Sequence, residues 1–245
     1  MAALEVTFSP VGDQAVLVGF GQEIREETGL AVRLFAEELA RLKPEGIREW
    51  VPSYCGCLVY YDPMRYSFED VQALLKPLTL PRKAETQLPA ERIRIPVLYG
   101  GKTGPDLAFV AEHAGLTEEE VIRRHSGRDY LIYMMGFTPG FPYLGGLDPK
   151  LETPRLKTPR VAIPGGSVGI AGKQTGVYPI ESPGGWQLIG RTPLKLFDPG
   201  RPEPFLLRAG LYLRFDPVTE EEYARILRLT ESGCYEPVRE RRESL

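Results

Sequence analysis

Asparagine is missing altogether from the 245 residues, and cysteine (three), histidine (two) and tryptophan (two) are scarce. Each shortage narrows the reading. Three cysteines suit a reducing compartment rather than a disulfide scaffold. Cys55 and Cys57 flank a single glycine, so on a strand both thiols face one side. A structural zinc wants four ligands, and His113 and His125 do not stand at ligand spacing. No metal is therefore expected, and the two thiols read as half-buried small hydrophobes. No apolar run approaches the roughly 20 residues that span a bilayer, so no membrane partner is expected. The opening Met1-Ala2-Ala3-Leu4-Glu5 has neither a basic nor a long apolar stretch, so no secretory signal is expected and the compartment is read as cytoplasmic. Net charge is −3 with no long basic block, which argues against a nucleic-acid partner. The mixed-sign Arg239-Glu240-Arg241-Arg242-Glu243 reads as a frayed, solvated end. The missing thermolabile amide, with 22 Arg against 8 Lys, points to a thermophilic source.

Hydrophobic residues make up 42%, enough to bury a core, and the length allows one large domain or two small ones. The first 80 residues predict a small α+β domain. A hairpin turns at Pro10–Asp13, and a helix over Gln22–Leu42 stops at Pro44 and Gly46. Strands follow at Ile47–Trp50 and Cys57–Tyr61, then a helix over Phe68–Lys76 that Ser67 and Asp70 cap. Residues 81–91 read as a linker, and 92–235 as a second domain. It opens on an alternating strand, Arg92–Tyr99, and a helical hairpin. Thr103 caps the first of these helices, which ends at Gly115. Thr117 caps the second, with Glu120 completing a capping box. This pair resembles a helix-turn-helix, but Glu118, Glu119 and Glu120 would meet phosphates with the wrong charge. From Gly136 to Gly200, 13 glycines and 10 prolines in 65 residues leave only short strands and tight turns, which close most naturally into a small barrel. Thr219 caps a last helix, Glu220–Thr230.

The chemistry is expected in that Gly/Pro-dense region. Gly136–Gly146 interleaves Phe137, Phe141 and Tyr143 with Pro139, Gly140 and Pro142. Pro164–Gly176 sets Gly165, Gly166 and Ser167 ahead of Lys173, Gln174 and Thr175. Successive amides there can form an anion-binding nest, though the spacing is not that of a P-loop. Ser182-Pro183-Gly184-Gly185-Trp186 again pairs exposed backbone with an aromatic wall. Arg155 and Arg160 suit carboxylate or phosphate recognition. His125 is the one imidazole placed to reach this region, although a lone His at a helix end more often serves structure. With no GxSxG elbow and so few acid–base groups, a self-sufficient hydrolase is hard to build. The chain reads as part of a shared active site or as a binding module.

The runs GFTPGFPYLGGLDP and PRLKTPRVAIPGGSVGIAGKQTGVYPIESPGGWQLIGRTP resemble the family of the B-type subunit of bacterial 5-oxoprolinase and the kinase inhibitor KipI. That family is also called allophanate hydrolase subunit 1, is related to carboxyltransferase subdomains C and D, and recurs in urea amidolyase-related proteins. The resemblance runs from Gly12-Asp13 to Arg191-Thr192-Pro193. It implies an α+β N-terminal domain followed by a mainly β, cyclophilin-like barrel. It implies a hetero-complex with two other 5-oxoprolinase subunits, of the A and C types. That complex opens 5-oxo-L-proline to L-glutamate using ATP, with magnesium, at the level of the complex. Self-association is a further expectation. The expected catalytic residues are Lys173, for charge stabilisation, and, from its position just before the β region, His125. Gly165, Gly166 and Ser167 form the implied amide cradle, with Gln174 and Thr175 beside it. Arg155 and Arg160 are the implied anion contacts. Phe137, Pro139, Gly140, Phe141, Gly184, Gly185 and Trp186 are the implied pocket walls. The alternative is a KipI-like regulator that binds a histidine kinase through its barrel. Prolyl isomerase activity would rest on fold analogy alone.

Overall fold

The structure, a computed structural model, describes residues 5–79 and 91–242; the expected linker at 81–91 lies outside them except for Glu91. Contacts between Cα atoms divide the chain into two compact units, Met1–Leu88 and Pro89–Leu245.

Strict alternation builds the first unit's sheet. Strands β1 (Thr7–Pro10), β2 (Ala15–Gly19), β3 (Ile47–Pro52) and β4 (Gly56–Tyr61) lie in the order β1-β2-β4-β3, all antiparallel. Val16 and Val18 are buried while Leu17 between them is exposed, and Cys57, Val59 and Tyr61 repeat the pattern on β4. Two helices cover that face. Helix α1 (Glu26–Leu42) buries Val32, Phe35 and Leu39, at helical spacing. It starts later than Gln22, at an Arg25 N-cap whose side chain makes no capping bond. Helix α2 (Phe68–Leu75) buries Val71 and Leu75 and carries the expected Ser67–Asp70 capping box. Of the two thiols, Cys57 is fully buried, and burial pushes it up to about 12, whereas Cys55 precedes the strand and is half-buried.

The second unit is mostly β. Its eight-stranded sheet runs β10-β9-β12-β5-β13-β6-β7, from β5 (Glu91–Tyr99), β6 (Tyr130–Met135), β7 (Pro142–Gly145), β9 (Ser167–Ala171), β10 (Gln174–Val177), β12 (Gln187–Arg191) and β13 (Tyr212–Pro217). The eighth strand, β14 (Arg239–Arg241), pairs with β5. β7 and β10 come into contact, so the ends of the path meet and the sheet is nearly closed. A separate pair joins β8 (Arg160–Ile163) to β11 (Ser182–Gly184). β5 and β13 run parallel, with Ile93, Ile95, Val97, Leu213 and Phe215 all turned into the core. Helices α3 (Leu107–Ala114), α4 (Glu118–Ser126) and α5 (Glu220–Glu231) add Leu107, Val110, Val121 and Ile226 to it.

Four local expectations are corrected. Thr103 does not cap α3; its hydroxyl donates to the Leu98 and Gly100 carbonyls, and Asp106 is the N-cap. The Thr117 hydroxyl accepts from Glu120 N–H, but the Glu120 carboxylate turns to Arg123 and Arg124 instead of closing a box. Pro142–Gly145, read as loop, is a strand because it finds β6. The charged C-terminal run is not a solvated fray, since Arg239–Arg241 is held in register on β5.

Candidate functional site

The Gly/Pro-dense loops converge on an aromatic cluster. Phe141 makes edge contacts with Tyr143 (5.3 Å), Phe137 (5.5 Å), Tyr178 (5.9 Å) and Trp186 (5.9 Å) between ring centroids. Tyr178 and Trp186 lie 6.0 Å apart. These distances and tilts are those preferred by aromatic quadrupoles. Phe137, Phe141 and Trp186 are thus brought together as expected, but Phe141 and Trp186 are buried and only Phe137, 67% exposed, faces solvent.

Several glycines make room for these rings. A Cβ on Gly176 would stand 3.1 Å from Trp186 and 3.4 Å from Phe141, and one on Gly184 would stand 2.3 Å from the Tyr178 hydroxyl. Gly140, at φ 85°, lets the loop pass Phe197 and Pro179. Pro139 beside it is exposed. The amide nest is corrected. Gly166 N–H donates to the Tyr178 carbonyl and Ser167 N–H to the Pro164 carbonyl, while the Gly165 carbonyl accepts from Arg191. Two of the three cradle amides therefore hold the β8–β9 turn and are closed to a ligand. The Gly185 carbonyl likewise accepts from Leu156 N–H.

Phe137 owes its exposure to an unusual turn. Thr138 N–H donates to the Gly136 carbonyl at 2.7 Å, closing a three-residue turn with Phe137 at φ 63°. That is the rare γ-turn, a conformation that costs a non-glycine residue free energy. The hydroxyls of Thr138 and Ser182 are buried in this region without a protein partner.

The charged candidates separate. Arg160 is committed internally: it donates to the Asp106 carboxylate (2.8 Å) and the Trp186 carbonyl (3.2 Å). Asp106 in turn accepts from Leu188 N–H, so the carboxylate that Arg160 holds is the protein's own. Arg155 is exposed and has no ion-pair partner among the described residues. Lys173 is exposed at the β9–β10 hairpin tip, where Gly172 N–H donates to the Thr153 carbonyl, two residues from Arg155. Gln174 opens β10, half-buried beside Ala171. The positive charges of Arg155 and Arg160 reach the Tyr178 phenol; its pKa is raised by burial, a shift that these arginines and a bond to the Trp186 backbone partly offset.

His125 does not join this group. It is fully buried, stacked on Phe215 at 4.6 Å, with Nδ1 2.8 Å from the Tyr99 hydroxyl and Nε2 2.8 Å from Thr175 Oγ1. The Thr175 hydroxyl donates to the Gly169 carbonyl, so it accepts from Nε2–H, and Nδ1 accepts from Tyr99. Burial, then the charge of Arg128, lowers the imidazole to about 3. The catalytic reading of His125 and the ligand reading of Thr175 are corrected: both serve the core. Tyr143, Tyr178, Thr138 and Ser182 were assigned no role in the site from sequence. All stand in the same motif segments or beside them, and the repeated pairing of a small residue with an aromatic was the available signal. Among the described residues, no group of three or more His, Cys, Asp or Glu is placed to hold a metal.

A family model, the carboxyltransferase domain, subdomain C and D, matches residues 6–207. The chain belongs to this family. Within the carboxyltransferase subdomain C and D family it is similar to the B-type subunit of 5-oxoprolinase from Bacillus subtilis, at 42% identity over 223 residues, 87% of this chain and 93% of that protein. It is similar to a conserved uncharacterized protein of Pyrococcus horikoshii, whose crystal structure shows 46% identity and a TM-score of 0.53 over 89% of this chain and 100% of that one. The crystal structure of TTHA0988 gives 39% identity and a TM-score of 0.74 over 84% of this chain, which spans 40% of that longer polypeptide. The carboxyltransferase subdomain C and D fold thus recurs both as a separate chain and as part of a longer one.

Proposed function

We propose that this chain is the B-type subunit of an ATP-dependent 5-oxoprolinase, opening 5-oxo-L-proline to L-glutamate together with partner subunits of the A and C types. The similarity to the Bacillus subtilis protein over nearly the full length of both chains carries this reading. The site adds a physical reason for partners. A lactam carbonyl is a poor electrophile until its oxygen is phosphorylated, and hydrolysis then needs a base to activate water. The buried, neutral His125 does not supply that base, and Asp106 is tied to Arg160. TTHA0988, in which the same module sits within a longer polypeptide, fits a module that works beside another domain.

In this reading the nearly closed sheet is the cyclophilin-like barrel, and Phe137, at the edge of the aromatic cluster, is its ligand-facing ring. Arg155 holds the substrate carboxylate through a charge-assisted bond. Lys173 stabilises negative charge developing on the phosphorylated lactam. Phe137 packs against the ring or against a partner that closes the site. ATP and magnesium belong to the complex, and no residue of this chain is assigned to them.

The test is reconstitution from three purified subunits, with glutamate release measured against ATP. Omitting this chain is expected to abolish release. Arg155→Ala is expected to raise KM about tenfold or more, the scale of one charge-assisted hydrogen bond, and Lys173→Ala to lower kcat. Undiminished glutamate release without the chain would remove the reading.

A further inference from the structure

A second feature lies apart from the Gly/Pro loops, on the outer face of the β5–β13 pair. Burial of Ile93, Ile95, Leu213 and Phe215 sends Arg92, Arg94, Arg214 and Asp216 to the opposite face. Glu240 on β14 stands opposite Arg92 in register and joins them. Arg123 at the end of α4 closes one side and Pro217 another, leaving a groove of about 380 Å³. That volume lies within the range of small-molecule sites.

Arginine dominates the charge around the groove. Asp129 is shared by Arg92 (3.3 Å), Arg242 (3.3 Å) and Arg214 (3.7 Å). Glu240 is shared by Arg92 and Arg94, and Asp216 is held by Arg94 at 2.6 and 2.9 Å. Arginines 92, 94, 214 and 242 thus gather around the carboxylates at 129, 216 and 240. Arg123 is paired with Glu120 on its own helix. Arg214 makes the longest of these contacts, and at 3.7 Å from Asp129 its guanidinium is ion-paired but not hydrogen-bonded. These pairs are part-buried, with side chains 14–41% exposed, and their network ties β13 and β14 to β5 and frames the groove.

We propose that this groove binds a small phosphate-bearing anion, with Arg214 as its principal contact and Arg94 and Arg123 beside it. The carboxylate-locked arginines hold the groove's shape, and Arg214 presents an open donor fork. Phosphate offers three acceptor oxygens and about −1.5 to −2 charges at neutral pH. It can therefore meet guanidiniums arriving from a strand, its neighbour and a helix at once, with a third oxygen and a higher charge than a carboxylate offers. The groove exceeds a bare phosphate, so an organic remainder can lie along Pro217.

Amide NMR of the full chain tests this, titrating inorganic phosphate, glycerol 3-phosphate and L-glutamate at fixed ionic strength. Saturable shifts at residues 92–94 and 214–216 are expected with the two phosphates and not with L-glutamate. Tighter binding of glycerol 3-phosphate identifies a phosphorylated metabolite as the ligand, and equal affinity identifies free phosphate. Arg214→Gln is expected to weaken binding about tenfold or more. Arg123→Gln, on an exposed side chain with no part in the strand network, is expected to weaken it severalfold with the fold intact. Shifts that do not saturate, that L-glutamate reproduces, or that survive both substitutions overturn the proposal.

Discussion

His125 shows how one residue can be chemically plausible in sequence and committed elsewhere in structure. Its ring stays neutral because both nitrogens have neutral partners in a dry core. The native pKa of about 3 lies below the ordinary 6.5, so between those values the unfolded chain binds a proton that the native chain refuses. This contribution to stability is complete above about pH 6.5 and is lost as pH falls through that window, at up to about 1.4 kcal/mol per pH unit. Chemical denaturation at pH 4 to 7 is expected to show a shallower pH slope for His125→Gln than for the wild type, against the same carboxylate background. Phe137 invites a second test. At φ 63° glycine is unstrained and alanine is not. Phe137→Gly is expected to be more stable than Phe137→Ala by about 1 kcal/mol in urea melts, the reverse of their order in a helix. Sequence reading named most of the residues that the loops bring together. It misjudged Arg160, Thr175 and the Gly166 and Ser167 amides because their partners, Asp106, His125 and the Tyr178 and Pro164 carbonyls, are set by tertiary pairing that spacing does not reveal.

Elements with local signals were the legible ones. Capping residues at Ser67, Thr117 and Thr219, and a stop at Gly115, marked helix ends that hold in the fold. Thr219→Ala removes the hydroxyl that accepts from Glu222 N–H, and is expected to lower stability by about 1 kcal/mol without changing the groove or the loops. A calorimetric midpoint with an unchanged amide spectrum checks it. The strands that escaped reading, β7, β11 and β14, are three or four residues long and exist because a partner strand, β6, β8 or β5, accepts them. Nothing in a run such as Arg239-Glu240-Arg241 announces that β5, almost 150 positions earlier, will hold it.

For the whole molecule, composition and the glycine–proline density conveyed a mixed first half and a β second half, and each unit in the structure has its own apolar core. What composition could not convey was that the second unit's sheet runs to Arg241 and takes in both of its own ends. A fragment comprising residues 91–242 is expected to fold alone, with a cooperative thermal transition and a dispersed amide spectrum, whereas ending it at Pro237 is expected to lower the midpoint by removing β14 and its ties to Arg92 and Arg94.

Glu91 and Arg241 stand opposite one another across two paired strands. The second unit is therefore a near-closed loop of chain, and a short flexible tether between those two positions would make it a true ring, free to be cut elsewhere. Such a unit can be set into a host protein through a narrow opening, like a cassette, without stretching either neighbour.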